Sequence, residues 1–396
     1  MPPAGVDAPI VIDVDSHFLP SDAFDDEAGK RRFRSRWPRF MMDSLGRDWV
    51  AFPERWEMLN PHQRSLPCAM IPGKHHPGYY DSTARAGWLD EAGFDMQVLV
   101  PSPSPFTYDL DPDLGLAVCR SYNDAVGRAL RRNPGRFIGL ALLPMQDPVA
   151  AVEELERAVV ELGIQAPLVI SNVNGRNLDD YRFWPVYERI EQLGVPLIIH
   201  GNRFGPLLGL ERLPHMHLDN SLGFLFEGTV AITSLIMNGV LDMYPRLRVG
   251  VLETGAGYIS YLMDRLQAVY EDETLGGISP NAARRVKDLI RKPPEEYMDH
   301  IWMCFDLGSE RRSIPGVVER FGAGRFMINS DFPHNIGGGG KGAVALLDGI
   351  GQLTSAQKAQ LLGLSACALF GIDPATREQR RAAGQQAVAD KIAVPA

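Results

Sequence analysis

The feature that most constrains this chain is one local pattern met eight times: a short run of β-branched and aliphatic residues that ends in a polar or Gly/Pro cluster and leads into a helical stretch. The runs are IVIDVDSH (10–17), DMQVLVPS (95–102), FIGLALLP (137–144), APLVISN (166–172), VPLIIHG (195–201), RVGVLETG (248–255), IWMCFDL (301–307) and FMINSDFPH (326–334). Near-continuous apolar strands are what a parallel sheet buried on both faces requires. Between them lie amphipathic segments such as VAAVEELERAVVELG (149–163) and YRFWPVYERIEQLG (181–194), the first capped by Asp147 with Pro148 in its opening turn. Eight such units predict an α/β chain folded as a (β/α)8 TIM barrel, with a doubly wound open sheet as the alternative.

A barrel needs about 250 residues, and this chain has 396. The excess falls at 18–94, 202–247 and 256–300, after the C-terminal ends of strands, where a barrel places its active site. The chain therefore reads as a single domain over 1–396, with a long insertion at about 18–94 and a peripheral C-terminal helix at about 373–396. The insertion is rich in Arg, Trp, Pro and His (RRFRSRWPRF, HQRSLP, GKHHPGYY) and reads as an ordered arm over the barrel mouth or a subunit contact.

Composition excludes several classes of partner. With 40 Lys and Arg against 49 Asp and Glu, the formal charge of −9 leaves no basic excess for nucleic acid. The N-terminus lacks a basic segment before its apolar stretch, and no run approaches the roughly 18 apolar residues of a membrane span, so export and membrane insertion are not expected. Cys68, Cys119, Cys304 and Cys367 form no C-x-x-C pair, which fits a reducing cytoplasm and not a disulfide framework or thiolate zinc cluster. No G-x-G-x-x-G follows the first strand, NIGGGGKGA fails the phosphate-loop pattern, and no G-x-S-x-G elbow occurs, so no nucleotide cofactor and no serine-hydrolase triad are expected.

Four potential metal ligands stand at predicted strand ends: Asp15 and His17 on strand 1, His200 on strand 5 and Asp331 on strand 8. The two-residue spacing of Asp15 and His17 puts both on one face of the strand, aimed at the barrel axis. Singly, each reads as a cap, an ion pair or a satisfied core residue; together, imidazoles and carboxylates suit one divalent ion, Zn, Mn or Fe, with room for water. Arg203 after the HGN loop is a candidate clamp for a substrate carboxylate, with an ordinary salt bridge as its alternative. His334 either orients Asp331, meets substrate or caps its loop. The pairs His75/His76 and His215/His217, and the aromatics Trp56, Tyr79, Tyr80, Phe106 and Tyr108, read more simply as loop and packing residues.

These motifs together resemble the amidohydrolase superfamily, in its branch that includes aminocarboxymuconate semialdehyde decarboxylase and γ-resorcylate decarboxylase. The resemblance runs over roughly residues 10–372 and rests on IDVDSH, VPLIIHGN, MNGVLDMYPRLRVGVLETGAGYISYLMDRL and INSDFPH. It implies a metal motif on strand 1, with Asp15 where many members carry His or Glu, a metal-binding His200, and an Asp331 that touches both metal and catalytic water or substrate. It also implies a homodimer. One position departs: decarboxylases of this branch carry a catalytic His on strand 6, where this chain has Glu253. Glu253 is then a further ligand, a general acid/base, or an acceptor that fixes a ligand histidine, with a carboxylate held by Arg265 or backbone amides as the structural alternative. The leading expectation is hydrolysis of a small cyclic or aromatic substrate by metal-activated water, with Asp331 or Glu253 handling protons. The alternatives are non-oxidative decarboxylation of an aromatic or unsaturated carboxylic acid, and a barrel that binds a ligand without turnover.

Overall fold

The computed structural model describes residues 10–42, 48–53, 76–102, 107–201, 216–272, 286–334 and 342–374; side chains 41–42, 48–49, 216–221 and 286 lie outside this description. Eight parallel strands form the centre: β1 (Ile12–Asp13, resumed at His17–Phe18), β2 (Met96–Pro101), β3 (Phe137–Leu142), β4 (Ala166–Ile170), β5 (Leu197–His200), β6 (Val249–Leu252), β7 (Ile301–Phe305) and β8 (Phe326–Ile328). They pair in sequence order. The eight aliphatic runs thus supply the eight strands, and their side chains are buried throughout, as a sheet walled by helices demands.

The first strand departs from a continuous 10–17 segment. At Val14–Ser16 its backbone turns to the last strand: Val14 N donates to Ile328 O at 3.3 Å, Asp331 N to Asp15 O at 3.0 Å and His17 N to Phe332 O at 2.6 Å. These bonds, with the Ser16–Phe332 bridge, close the TIM barrel.

Helices follow the strands and bury one apolar stripe each. Pro112–Arg132 (α3) begins at the Asp111 cap and ends in Arg131 and Arg132, the polarity that complements the helix dipole. Pro148–Val160 (α4) starts where the sequence places it, with Asp147 accepting from the Val149 and Ala150 amides. Trp184–Leu193 (α5) stops at Gly194, whose φ of 68° is the left-handed cap that favours glycine. Met216–Met237 (α6) and Ile259–Glu271 (α7) flank β6, and Ile314–Phe321 (α8) follows β7. Among the described residues no helix is long and apolar enough to cross a membrane.

Within 18–94, the described residues contribute Glu27–Phe33 (α1), the antiparallel pair Arg39–Met42 and Asp48–Ala51, and Ser82–Ala92 (α2). This insertion is stitched to α3 by Ser121 Oγ donating to Ala23 O and Tyr122 Oη to Phe18 O, and it buries Phe33 and Trp37. At the other end of the chain, a π-turn over Gln360–Leu364 leads into Ser365–Phe370, capped by Gly371. Residues 371–374 are not helical, and the remainder of the expected C-terminal helix lies outside the described residues.

Candidate active site

β1 carries Asp13, Asp15 and His17 at period two, and all three are buried. Asp15 and His17 converge with His200, from the end of β5, so that one ligand atom of each lies within 4.8 Å of the others. His200 Nε2 is 3.8 Å from Asp15 Oδ1. Two further carboxylates reach the same point: Glu253, just past β6, places Oε2 at 2.8 Å from His200 Nε2 and 3.8 Å from His17 Nε2, and Asp331, past β8, places Oδ1 at 3.4 Å from His17 Nε2.

The backbone is unusual at those last two residues. Glu253 has φ 53° and Asp331 φ 52°, left-handed conformations that cost a non-glycine residue about 1–3 kcal/mol and persist only where the surroundings impose them. Each places its carboxylate beside the cluster at the start of the loop that leaves its strand.

Both Asp15 carboxylate oxygens, Nε2 of His17, Nε2 of His200 and Oδ1 of Asp331 are buried without an aligned hydrogen bond. The short His200–Glu253 approach is a charge contact and not an aligned hydrogen bond. Unsatisfied polar atoms of this number are costly unless a ligand engages them. His200 Nδ1 donates to Gly201 O at 2.7 Å, which leaves Nε2 aimed inward as the ring atom available to a metal.

The titration shifts carry the same message. Burial, reinforced by Glu253 and Asp13, pushes Asp15 up to about 7, and burial with Glu253 and Asp15 pushes Asp331 well above the carboxylate range. Burial drives His17 well below the imidazole range, helped by His334 and His200. At His200 the opposing effect of burial is overcome by Glu253 and Asp15, which raise it to about 9. Crowded, desolvated groups of this kind are what a divalent cation would neutralise, so the donor set fits one metal ion.

Polar support lies behind the cluster. Asp13 accepts from Gln97 Nε2 at 2.6 Å, Ser330 N at 2.8 Å and Ser330 Oγ at 2.5 Å, tying β1 to β2 and to the segment after β8. Arg85 of α2, fully buried, donates to Gly78 O, Ser16 Oγ, Gln97 Oε1 and the carbonyl of His17. These residues were not among the sequence candidates. The period-two register of Asp13 with Asp15 and His17 is a signal that could have found it, whereas nothing in STARAGWLDEA marks Arg85.

A family model described as Amidohydrolase matches residues 12–372. The chain belongs to the amidohydrolase family. This amidohydrolase is 29% identical over 339 residues to the 2-amino-3-carboxymuconate-6-semialdehyde decarboxylase of Dictyostelium discoideum, covering 83% of this chain and 90% of that one. It is 27% identical over 258 residues to a γ-resorcylate decarboxylase of Polaromonas sp., covering 63% and 76%. A Polaromonas dihydroxybenzoic acid decarboxylase, solved with bound manganese and the inhibitor 2-nitroresorcinol, superposes with a TM-score of 0.66 at 21% identity, over 93% of this chain and 98% of that one.

Of the sequence candidates, the amidohydrolase brings together Asp15, His17, His200, Glu253 and Asp331. His334 joins them: its ring lies 4.6 Å from that of His17, and its amide donates to Asp331 O at 2.7 Å. Arg203, His75, His215, Trp56 and Phe106 lie outside the described residues, as does the side chain of His217. His76 is an exposed cap that accepts from Gly78 N. Arg265 is exposed on α7, and among the described residues the side chains Glu253 approaches are His200 and His17.

Proposed function

We propose that this amidohydrolase is a metal-dependent carboxy-lyase that removes carbon dioxide from a small aromatic or unsaturated carboxylic acid. The observation that carries the reading is the convergence of the unpartnered ligand atoms of Asp15, His17, His200 and Asp331, with Glu253 beside them. Its preference over the hydrolysis expected from sequence rests on relatives named as decarboxylases, one of them matching over 83% of the chain.

Asp15, His17, His200 and Asp331 are the residues that would hold the ion. When bound, it supplies a Lewis acid that orients substrate oxygens and stabilises charge as the carboxylate leaves. Manganese, present in the Polaromonas structure, is the metal to test first, with zinc and iron as comparators. In the reaction the bond between carbon and the carboxylate breaks, its electron pair stays on carbon, and carbon dioxide departs. Glu253, the most exposed of the cluster carboxylates at 20%, takes a proton from solvent and passes it to that carbon, returning to the carboxylate. The Phe224 ring, 6.5 Å from that of His200, gives the mouth an aromatic wall suited to a planar substrate. Arg203 and His334 are the residues proposed to meet the substrate's polar groups.

Protein purified without a metal-affinity tag is expected to hold about one ion per chain, reduced by His200→Ala and Asp331→Ala. Incubation in D2O with a panel of aryl and unsaturated carboxylic acids is expected to release carbon dioxide and leave deuterium on the vacated carbon. Oxygen-18 entering product from labelled water, with no carbon dioxide released from any acid, overturns the reading in favour of hydrolysis.

A further inference from the structure

Glu310 sits in the loop after β7, away from the cluster, and its surroundings are unusual for a carboxylate. Its oxygens accept from Ala256 N at 2.9 and 3.1 Å, Gly257 N at 2.7 Å and Asp306 N at 3.0 Å. Among the described residues no Lys or Arg pairs with it, and the donors it meets are backbone amides.

The amides of Ala256 and Gly257 belong to the turn that begins at Glu253. A Cβ placed on Gly255, at φ 69°, would lie 2.7 Å from Glu310 Oε1, and one on Gly257 would lie 3.0 Å from it. Residues 255–257 are thus wrapped on the Glu310 carboxylate as closely as glycine permits. The far side of the turn is wedged as well, for a Cβ on Gly228 of α6 would lie 2.5 Å from Thr254 Cγ2. Held on both flanks, the turn keeps Glu253 at φ 53° with its Oε2 2.8 Å from His200 Nε2.

We propose that Glu310 is a positioning residue: an internal anion that moulds the turn after β6 and so holds Glu253 in the left-handed conformation from which its carboxyl meets the substrate. The inference rests on the proposed role of Glu253 in proton transfer.

Glu310→Gln is the direct test, because it keeps the shape and turns one acceptor oxygen into a donor facing amide N–H groups. The expected results are normal metal content and unfolding midpoint, a kcat lower by about 10- to 100-fold with KM little changed, and a crystal structure in which Glu253 has left positive φ. Glu310→Ala is the companion variant, with added formate expected to recover kcat by refilling the carboxylate site. Three results separate the possibilities. Glu253 still at positive φ beside His200 in the Glu310→Gln structure overturns the proposal whatever the activity. A relaxed turn with undiminished kcat, while Glu253→Gln itself is impaired, overturns it too. Full activity in Glu253→Gln instead removes the role given to Glu253, and the Glu310→Gln structure then still decides whether Glu310 shapes the turn.

Discussion

Three carboxylates and two imidazoles face one another inside an apolar barrel, and each side chain answers to its neighbours more than to solvent. Removing the ion by chelation is therefore expected to lower the unfolding temperature, and titrating it back to raise stability by about 2.7 kcal/mol at a free concentration one hundred times Kd; a melting curve indifferent to metal would count against the cluster as a binding site. Glu253→Gln keeps the turn and the volume while abolishing the exchangeable proton, so kcat is expected to fall by about 10²- to 10⁴-fold with metal content unchanged, as read by turnover alongside elemental analysis. The residues of this cluster were legible because their types are chemically specific and sit at strand ends. What sequence did not disclose is that Glu253 and Asp331 share a left-handed backbone, since that conformation is imposed from outside, by Glu310 on one and by pairing with β1 on the other.

Elements follow the same division between local and imposed structure. α4 and α5 were readable because cap, first-turn proline and terminal glycine all act within a few residues. The interruption of β1 was not, because Val14–Ser16 pair with residues more than three hundred positions away. Nor was the π-turn at Gln360–Leu364, where Gly363 packs directly on Ile10, two residues before β1. A Cβ there would overlap the Ile10 carbonyl, which as backbone cannot swing aside, so Gly363→Ala is expected to cost about 1–3 kcal/mol in denaturant unfolding. At Gly316, where a Cβ meets nothing within 4 Å, the same change is expected to be close to neutral.

Over the whole molecule, the TIM barrel was legible because eight apolar runs leave few other ways to bury themselves, while the packing of the 18–94 insertion on α3 depended on contacts that no periodicity announces. One pH response belongs to this scale. His300, the last residue of the short 3-10 helix Pro294–His300 that leads into β7, faces Leu247 O through Nδ1 at 3.2 Å and Lys292 Nζ through Nε2 at 3.4 Å. Burial, then Lys292 and Arg325 against the opposing Leu247 carbonyl and Asp299, hold it below its ordinary 6.5. The unfolded chain therefore takes up a proton that the folded one declines, and the stability this histidine contributes is present above 6.5 and lost as pH falls through the folded value. His300→Gln is expected to flatten that part of the fall in urea midpoints between about pH 7.5 and 5; an unaltered slope would show that His300 does not contribute.

The closure of the barrel has a consequence for how the protein is made. Asp13 bonds Ser330 across 317 positions, and Asp15 and His17 take their backbone partners from Asp331 and Phe332. During synthesis Asp15 and His17 emerge early and wait for almost the whole chain before their neighbours exist. On the proposed ligand set, metal capture is expected to be a late event in the life of the nascent chain, and the instant at which an ion becomes hard to remove would mark the docking of the eighth strand against the first.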